Sequence, residues 1–392
     1  FLESLSRHFI VMRVAFFAAL AAVASGLVLR SDNVEVVEGE YIVVFHNNVT
    51  DAMMDKHVSM LKDSKVMFRY NMPTFKGYSV ECQYYNEMLA VSEQVEVNYV
   101  EHNGVVHALT QSPGQCAQSA QADSWGLPRV SNRQRTITGP VRSFSGEGAE
   151  IYIMDTGLRT SHETFAGRYS DERFDATNEG PGDAHGHGTH CAGTAMGEMF
   201  GLARGSTVFE VKVLNSRGSG TLAGVAAGIN WAANRNGARK VGSLSLGGGF
   251  SQALNAAANA AVDAGMVIAA ASGNNRGDAC RTSPASAEKC IAVSATTNTD
   301  ARASYSNFGT CVDIFAPGSD ITSAWIQSDT ATRTISGTSM SCPHVAGAAA
   351  AVWSSQPSMS NDDVKQHLLD NATPNVVTNP GTGSPNRMLF TC

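Results

Sequence analysis

The sequence is poor in charge, in aromatic rings and in long apolar runs, and each shortage removes a class of function. Only 16% of its 392 residues are charged and 7% aromatic, and acids outnumber bases to leave a net charge of −7. There is no basic tail and no charge block, so neither nucleic acid nor an anionic membrane surface is an expected partner. No apolar stretch approaches the roughly 20 residues that span a bilayer. The longest candidate, Val14 to Val23, is too short and is soon followed by Arg30 and Asp32. No internal repeat is evident. No His-Glu-x-x-His helix and no Gly-x-Gly-x-x-Gly turn is present, which argues against a zinc peptidase and a dinucleotide fold. What is abundant is glycine, 37 residues, beside 43% hydrophobic residues. That balance belongs to a globular chain with many tight turns.

The N-terminus has the texture of a targeting segment. Met12-Arg13 forms a short basic region, an apolar run follows, and Ala22-Val23-Ala24 supplies a small-x-small cleavage pattern. The expectation is a signal peptide over residues 1–25, with Met12 as initiator and 1–11 upstream of it, and hence an extracellular protein. Secretion makes the eight cysteines disulfide candidates. Sequons at Asn48 and Asn371 are possible glycosylation sites.

Residues 35–108 then predict a small α+β unit. Glu40 to Phe45 reads as a strand, Asp51 to Leu61 as a helix, Gly77 to Cys82 as a strand and Glu87 to Gln94 as a helix. Val95 to Val106 reads as a strand pair broken at Asn103-Gly104. The order suggests a β-α-β-β-α-β, ferredoxin-like arrangement. Residues 109–124 turn small and polar, as a linker does. From Trp125 onward short apolar strands (Ala149–Met154, Val208–Leu214, Val241–Leu246, Met266–Ala271) alternate with Ala-rich helical stretches (Leu222–Asn234, Gln252–Asp263). This predicts an α/β fold: a parallel sheet with helices on both faces and chemistry at the carboxyl ends of its strands.

Three segments carry chemistry. Asp155 ends an apolar strand, where an acid can ligate a metal, hold a ribose or orient a base. His185-Gly186-His187-Gly188-Thr189-His190 is dense in imidazole, but its glycines suit a close-packed helix start better than a rigid ligand face. Ser339 lies in Ser336-Gly337-Thr338-Ser339-Met340 ahead of an apolar helix, Val345 to Trp353. A serine there is presented on a tight turn among backbone N–H groups that favour negative charge; a cap is the alternative, but it accounts for the serine and not for its neighbours. Pro343 is expected in the first helical turn, where no helix bond is lost.

Together, Asp-Thr-Gly, His-Gly-Thr-His and Gly-Thr-Ser-Met-x-x-Pro-His resemble the motifs of subtilisin-like serine proteases in their Asp…His…Ser order. Ser243–Gly249 and Ala271–Asn275 fit the same family. Cys191 and the triple glycine bring the chain nearest the proteinase K subfamily. The resemblance covers residues 125–392, a peptidase domain; residues 35–108 resemble the family's inhibitory pro-domain more loosely.

What the resemblance implies is a secreted serine endopeptidase made as a self-processed zymogen. Ser339 would be the nucleophile, His187 the general base, Asp155 its orienting carboxylate and Asn274 the oxyanion donor. Gly218, Ser245, Leu246 and Gly247 would hold substrate backbone. Leu246, Ala271 and Gly273 would line an uncharged pocket favouring hydrophobic or aromatic residues before the scissile bond, and Leu222 a further apolar subsite. Cleavage is expected between about Val106 and Gln115. The partners implied are protein and peptide substrates and the chain's own pro-domain, with a monomeric enzyme and no stable membrane association. No cofactor is implied for catalysis. A structural calcium would take the Asp313 carboxylate and the carbonyls of Ala287 and Lys289. Cys280 and Cys311 would form a disulfide, Cys191 and Cys342 would stay buried thiols, and Cys290 lacks its expected partner near Lys365. Cys116 and Cys392 could pair. The contrary reading is an inactive, peptide-binding relative.

Overall fold

The computed structural model describes residues 28–31, 33–62, 64–110, 124–138 and 145–391. The expected signal peptide, most of the linker, Cys116 and Cys392 lie outside the described residues.

The N-terminal unit runs β1 (Val36–Phe45), α1 (Asp51–Ser59), β2 (Lys65–Met72), β3 (Phe75–Glu81), α2 (Tyr85–Ser92) and β4 (Val97–Ala108). Its strands form an antiparallel sheet in the order β2-β3-β1-β4. The run Tyr41-Ile42-Val43-Val44-Phe45 is apolar without alternation because both faces of β1 are covered. Val43 and Phe45 pack with Met54 and Met88 of its own helices. Ile42 and Val44, one residue out of phase, join the core of the second unit.

The second unit continues with β5 (Glu150–Asp155), α3 (His187–Met196), β6 (Thr207–Lys212), β7 (Ser219–Thr221), α4 (Leu222–Ala233) and β8 (Lys240–Leu244). Then come β9 (Leu246–Gly249), α5 (Gln252–Asp263), β10 (Val267–Ala271), β11 (Ile291–Thr296), β12 (Ile314–Pro317), α6 (Thr338–Ser355) and α7 (Asn361–Asn371). Six strands pair in parallel in the order β6-β5-β8-β10-β11-β12. Successive β5 residues serve opposite layers: Ile151 and Ile153 pack with α3 and α6, Tyr152 and Met154 with α4 and α5. The sheet is therefore buried on both faces, and strand order reverses around β5, whose carboxyl end carries Asp155.

Three details differ from the sequence expectation. β4 is one continuous strand, not a pair broken at Asn103-Gly104. The Asn103 side chain serves neighbours instead of a turn: Oδ1 accepts from Ala223 N at 3.0 Å, and Nδ2 donates to Glu40. The strand expected over Val241–Leu246 divides at Ser245 into β8, in the parallel sheet, and β9, which leaves it. The Ser245 carbonyl thereby turns out to accept from Leu109 N at 3.2 Å. Pro343 lies inside α6, beyond the first turn. The bond it denies to the Ser339 carbonyl is replaced by Ser245 Oγ at 2.9 Å and Cys191 Sγ at 3.5 Å. Among the described residues, no helix is long and apolar enough to cross a membrane.

Candidate active site

Asp155, His187 and Ser339 come together at the carboxyl edge of the sheet, all three fully buried. Asp155 Oδ1 accepts from His187 Nδ1 at 2.7 Å and from Thr156 N at 2.7 Å. This fixes the Nδ1–H tautomer and frees Nε2 to act as a base. His187 opens α3, and a shared carboxylate sets that helix start. Asp183 accepts from the backbone N–H groups of His185, Gly186 and Thr189 and from the Thr156 hydroxyl. Gly186 has φ +104°, and a Cβ there would run into the Trp325 ring. Only glycine suits that corner.

Ser339 is the second residue of α6. Its hydroxyl donates to the Ser245 carbonyl at 2.8 Å, while His187 Nε2 has no hydrogen-bond partner among the described residues. The Ser339 hydroxyl and His187 Nε2 are therefore not hydrogen-bonded to each other in this state. Such bonds commonly form only in the reactive complex.

The Asn274 side chain is held from behind. Its Oδ1 accepts from Thr338 N and Thr338 Oγ1, both at 2.9 Å. That leaves Nδ2 aimed into the cleft, where it donates to the Leu109 carbonyl oxygen. Ser339 N donates to the same oxygen at 3.4 Å. Two preorganised N–H groups thus converge on one carbonyl oxygen, as stabilisation of an oxyanion requires.

Leu109 arrives there as the end of an inserted strand. Residues of β4 lie between β7 and β9, antiparallel to both: His107 faces Ser219 on one side and Gly247 on the other, and Ala108 faces Leu246. Ala108 N donates to Gly218 O at 2.9 Å and Leu109 N to Ser245 O. Glycines at these edges are a packing requirement, since a Cβ on Gly220 would penetrate the Val213 carbonyl. Leu222 is fully buried in the same cluster as Val106. The Leu109 side chain lies against Gly247 at a cavity of about 780 Å³ walled by Gly248, Gly273 and Asn274. Of the expected pocket residues, Gly273 lines this cavity, whereas Leu246 and Ala271 are fully buried and do not. Asp278 and Arg281 also line the cavity, so it is not free of charge as the sequence suggests.

Neighbouring titratable groups are silenced by burial. Burial holds His190 down at about 3 and His344 at about 4. It pushes the Cys342 thiol up to about 11 and that of Cys191 well above its usual value. Cys191 stands close enough to Asp155 and His187 for the three to share a metal. A neutral thiol is a poor ligand, and His187 Nδ1 is already engaged by Asp155.

The structure contains a disulfide between Cys280 and Cys311, Cα atoms 5.2 Å apart, while Cys82, Cys191, Cys290 and Cys342 are free and buried. The expected calcium donors sit together but are already engaged. The Lys365 ammonium donates to the carbonyls of Cys290 (2.7 Å), Lys289 (3.2 Å) and Glu288 (3.3 Å). Ala287 O accepts from Cys290 N at 3.1 Å, and Asp313 Oδ2 from Ala292 N at 2.8 Å. These residues do not present a vacant divalent-cation cradle.

Three contributors escape the sequence reading. Leu109 gives no local signal, being an ordinary apolar residue before a linker. Thr338, which orients Asn274, is hidden as part of the serine motif. Asp183 does carry one: an acid shortly before a glycine-rich helix start is a capping pattern.

Residues 146–388 match the sequence profile of the Subtilase family. The chain is 43% identical over 309 residues to an extracellular serine proteinase of Thermus sp., covering 78% of this chain and 73% of the relative. It is 36% identical over 416 residues to a subtilisin-like serine protease of Penicillium citrinum, covering 93% and 90%. Among solved structures, a cold adapted subtilisin-like serine proteinase superposes with a TM-score of 0.66 at 38% identity, covering 69% of this chain and 99% of its own.

Proposed function

The chain belongs to the subtilase family and is a subtilisin-like serine endopeptidase, and from that premise we propose that residues 35–108 are its inhibitory pro-domain and Leu109–Thr110 its self-processing site. The observation that carries this is the Leu109 carbonyl oxygen lying between Asn274 Nδ2 and Ser339 N. A carbonyl held there is the one the nucleophile can attack.

In the proposed reaction His187 Nε2 takes the Ser339 hydroxyl proton as Oγ bonds to the Leu109 carbonyl carbon. Asp155 stays ionised and compensates the imidazolium. The oxygen gains negative charge between its two donors. The C–N bond to Thr110 then breaks, and His187 gives its proton to the departing amine. Water, deprotonated by the same imidazole, releases the Leu109 carboxyl group and restores Ser339. No cofactor enters these steps. The cut segment keeps its strand pairing to β7 and β9 and so remains as a product-like inhibitor.

External protein substrates would use the same edges by strand addition. The seating of Leu109 supports a preference for large aliphatic or aromatic residues before the scissile bond, with broad tolerance elsewhere. Asp278, which lines the cavity, already has its Oδ1 engaged by Cys280 N at 3.0 Å. The leader pattern at Met12 to Ala24 and the disulfide support secretion of an enzyme that acts outside the cell.

A serine-directed phosphonylating reagent tests the reading. It should abolish hydrolysis of a leucyl or phenylalanyl peptide and add one label, located on Ser339. Full activity after labelling, or a label elsewhere, would refute the assignment.

A further inference from the structure

We propose that Lys365 is a built-in cation: its ammonium takes the place of a divalent metal in the loop formed by residues 287–290 and Asp313, which is thereby held without calcium. The geometry is that of a saturated donor. An ammonium has three N–H bonds and no acceptor, and Lys365 Nζ finds three consecutive carbonyls, those of Glu288, Lys289 and Cys290, at 3.3, 3.2 and 2.7 Å. Three carbonyls pointing at one spot form an oxygen cradle that repels itself unless something positive fills it. Hard cations and ammonium groups both satisfy such a cradle.

Charge decides between them. Asp313 is the carboxylate beside this loop; burial pushes its carboxyl group up, and Lys365 is the foremost charge opposing that push. One ammonium and one carboxylate cancel. A divalent ion added to the same oxygens would face the lysine's charge at close range and would need about 6–8 oxygen ligands. With the ammonium on these carbonyls, the place where water would complete that shell is occupied, and the other protein groups nearby add no ligand. The Lys289 side chain turns away to pair with Asp263, and its N–H is taken by Asn259 at 3.0 Å. The Cys290 thiol is pushed up to about 12 by burial, so it stays neutral and offers no ligand.

Lys365 can be delivered reliably because it sits on a well-anchored helix. Ser360 and Asp363 form a reciprocal capping box at the start of α7. Asn361 Nδ2 ties that start to the carbonyls of Val262 and Met266 at 2.8 and 3.1 Å. Val364 and Leu368 bury the inner face of α7 in the main core. The lysine stem therefore crosses from a fixed helix to the loop before β11, joining two segments that no covalent bond connects: Cys290 is unpaired.

Melting temperature tests the proposal, measured on the full enzyme in a sulfonylating serine-protease inhibitor, with excess calcium and with chelator. In the parent protein Asp313→Asn should leave any calcium-dependent shift unchanged, because that shift arises elsewhere. Lys365→Ser should melt about 5 °C or more lower in chelator, calcium should recover most of the loss, and adding Asp313→Asn should remove the recovery. Lys365→Met serves the same comparison if the serine variant does not fold. The proposal is overturned if Asp313→Asn abolishes a calcium shift in the parent, if Lys365→Ser melts like the parent in chelator, or if calcium recovers nothing in the lysine variants. None of these readouts depends on the catalytic assignment.

Discussion

Two places in this molecule are filled by the chain's own parts, and they are filled in opposite ways. The cleft beside Ser339 holds residues 105–109 through main-chain pairing to β7 and β9. The loop beside Asp313 holds one ammonium, carried on α7. The first occupant belongs to the N-terminal unit and is followed by a polar linker, so the proposed cut after Leu109 would make it a removable product. The second is carried on a helix packed into the core, so no cut in the linker releases it. Main-chain contacts to glycine-edged strands ask little of side-chain identity, which suits a site that must later take other peptides. A tethered charge is specific to one residue and permanent, which suits a structural role.

The largest effect is expected at the oxyanion donors. Asn274→Ala should lower turnover on peptides, and the rate of self-cleavage, by about 10²–10³-fold with little change in KM, because its amide matters most when charge develops on the oxygen. A loss confined to KM, read from steady-state kinetics, would mean that Asn274 merely binds backbone. The smallest effect sharpens the structural side. His190 and His344 are buried and held down at about 3 and about 4, against about 6.5 when unfolded. Between about pH 4 and 6.5 the unfolded chain binds more protons than the folded one, so stability rises with pH over that window. Each histidine should contribute up to about 1.4 kcal/mol per pH unit to the slope. His344→Gln should remove its share, as read by denaturant unfolding of the inhibited enzyme at several pH values. An unchanged slope would mean that His344 is not buried as a neutral ring.

Much of this was readable from the amino acids, and unevenly so. The strand–helix alternation past Trp125 and the three motifs around Asp155, His187 and Ser339 are local patterns, and the family comparison agrees with the fold they predict. What escaped depends on partners distant in the chain. The break at Ser245 exists because Leu109 needs its carbonyl, 136 residues away in sequence. Pro343 is tolerated inside α6 because Ser245 and Cys191 take over the carbonyl it strands. Asn103-Gly104 looks like a turn in isolation, yet Asn103 is buried and receives the N–H of Ala223. In sequence Lys365 marks only the neighbourhood where a partner for Cys290 is absent; its role rests on three carbonyls of a loop some 75 residues away.

Self-cleavage after Leu109 is tested most directly by the mass of the purified precursor, wild type beside Ser339→Ala, each isolated away from other proteases. The wild type should be recovered as two pieces divided after Leu109 and the variant as one intact chain. A variant still divided after Leu109, or a wild type cut only at some other bond, would contradict the claim that the carbonyl seated between Asn274 and Ser339 is the one the enzyme cleaves in itself.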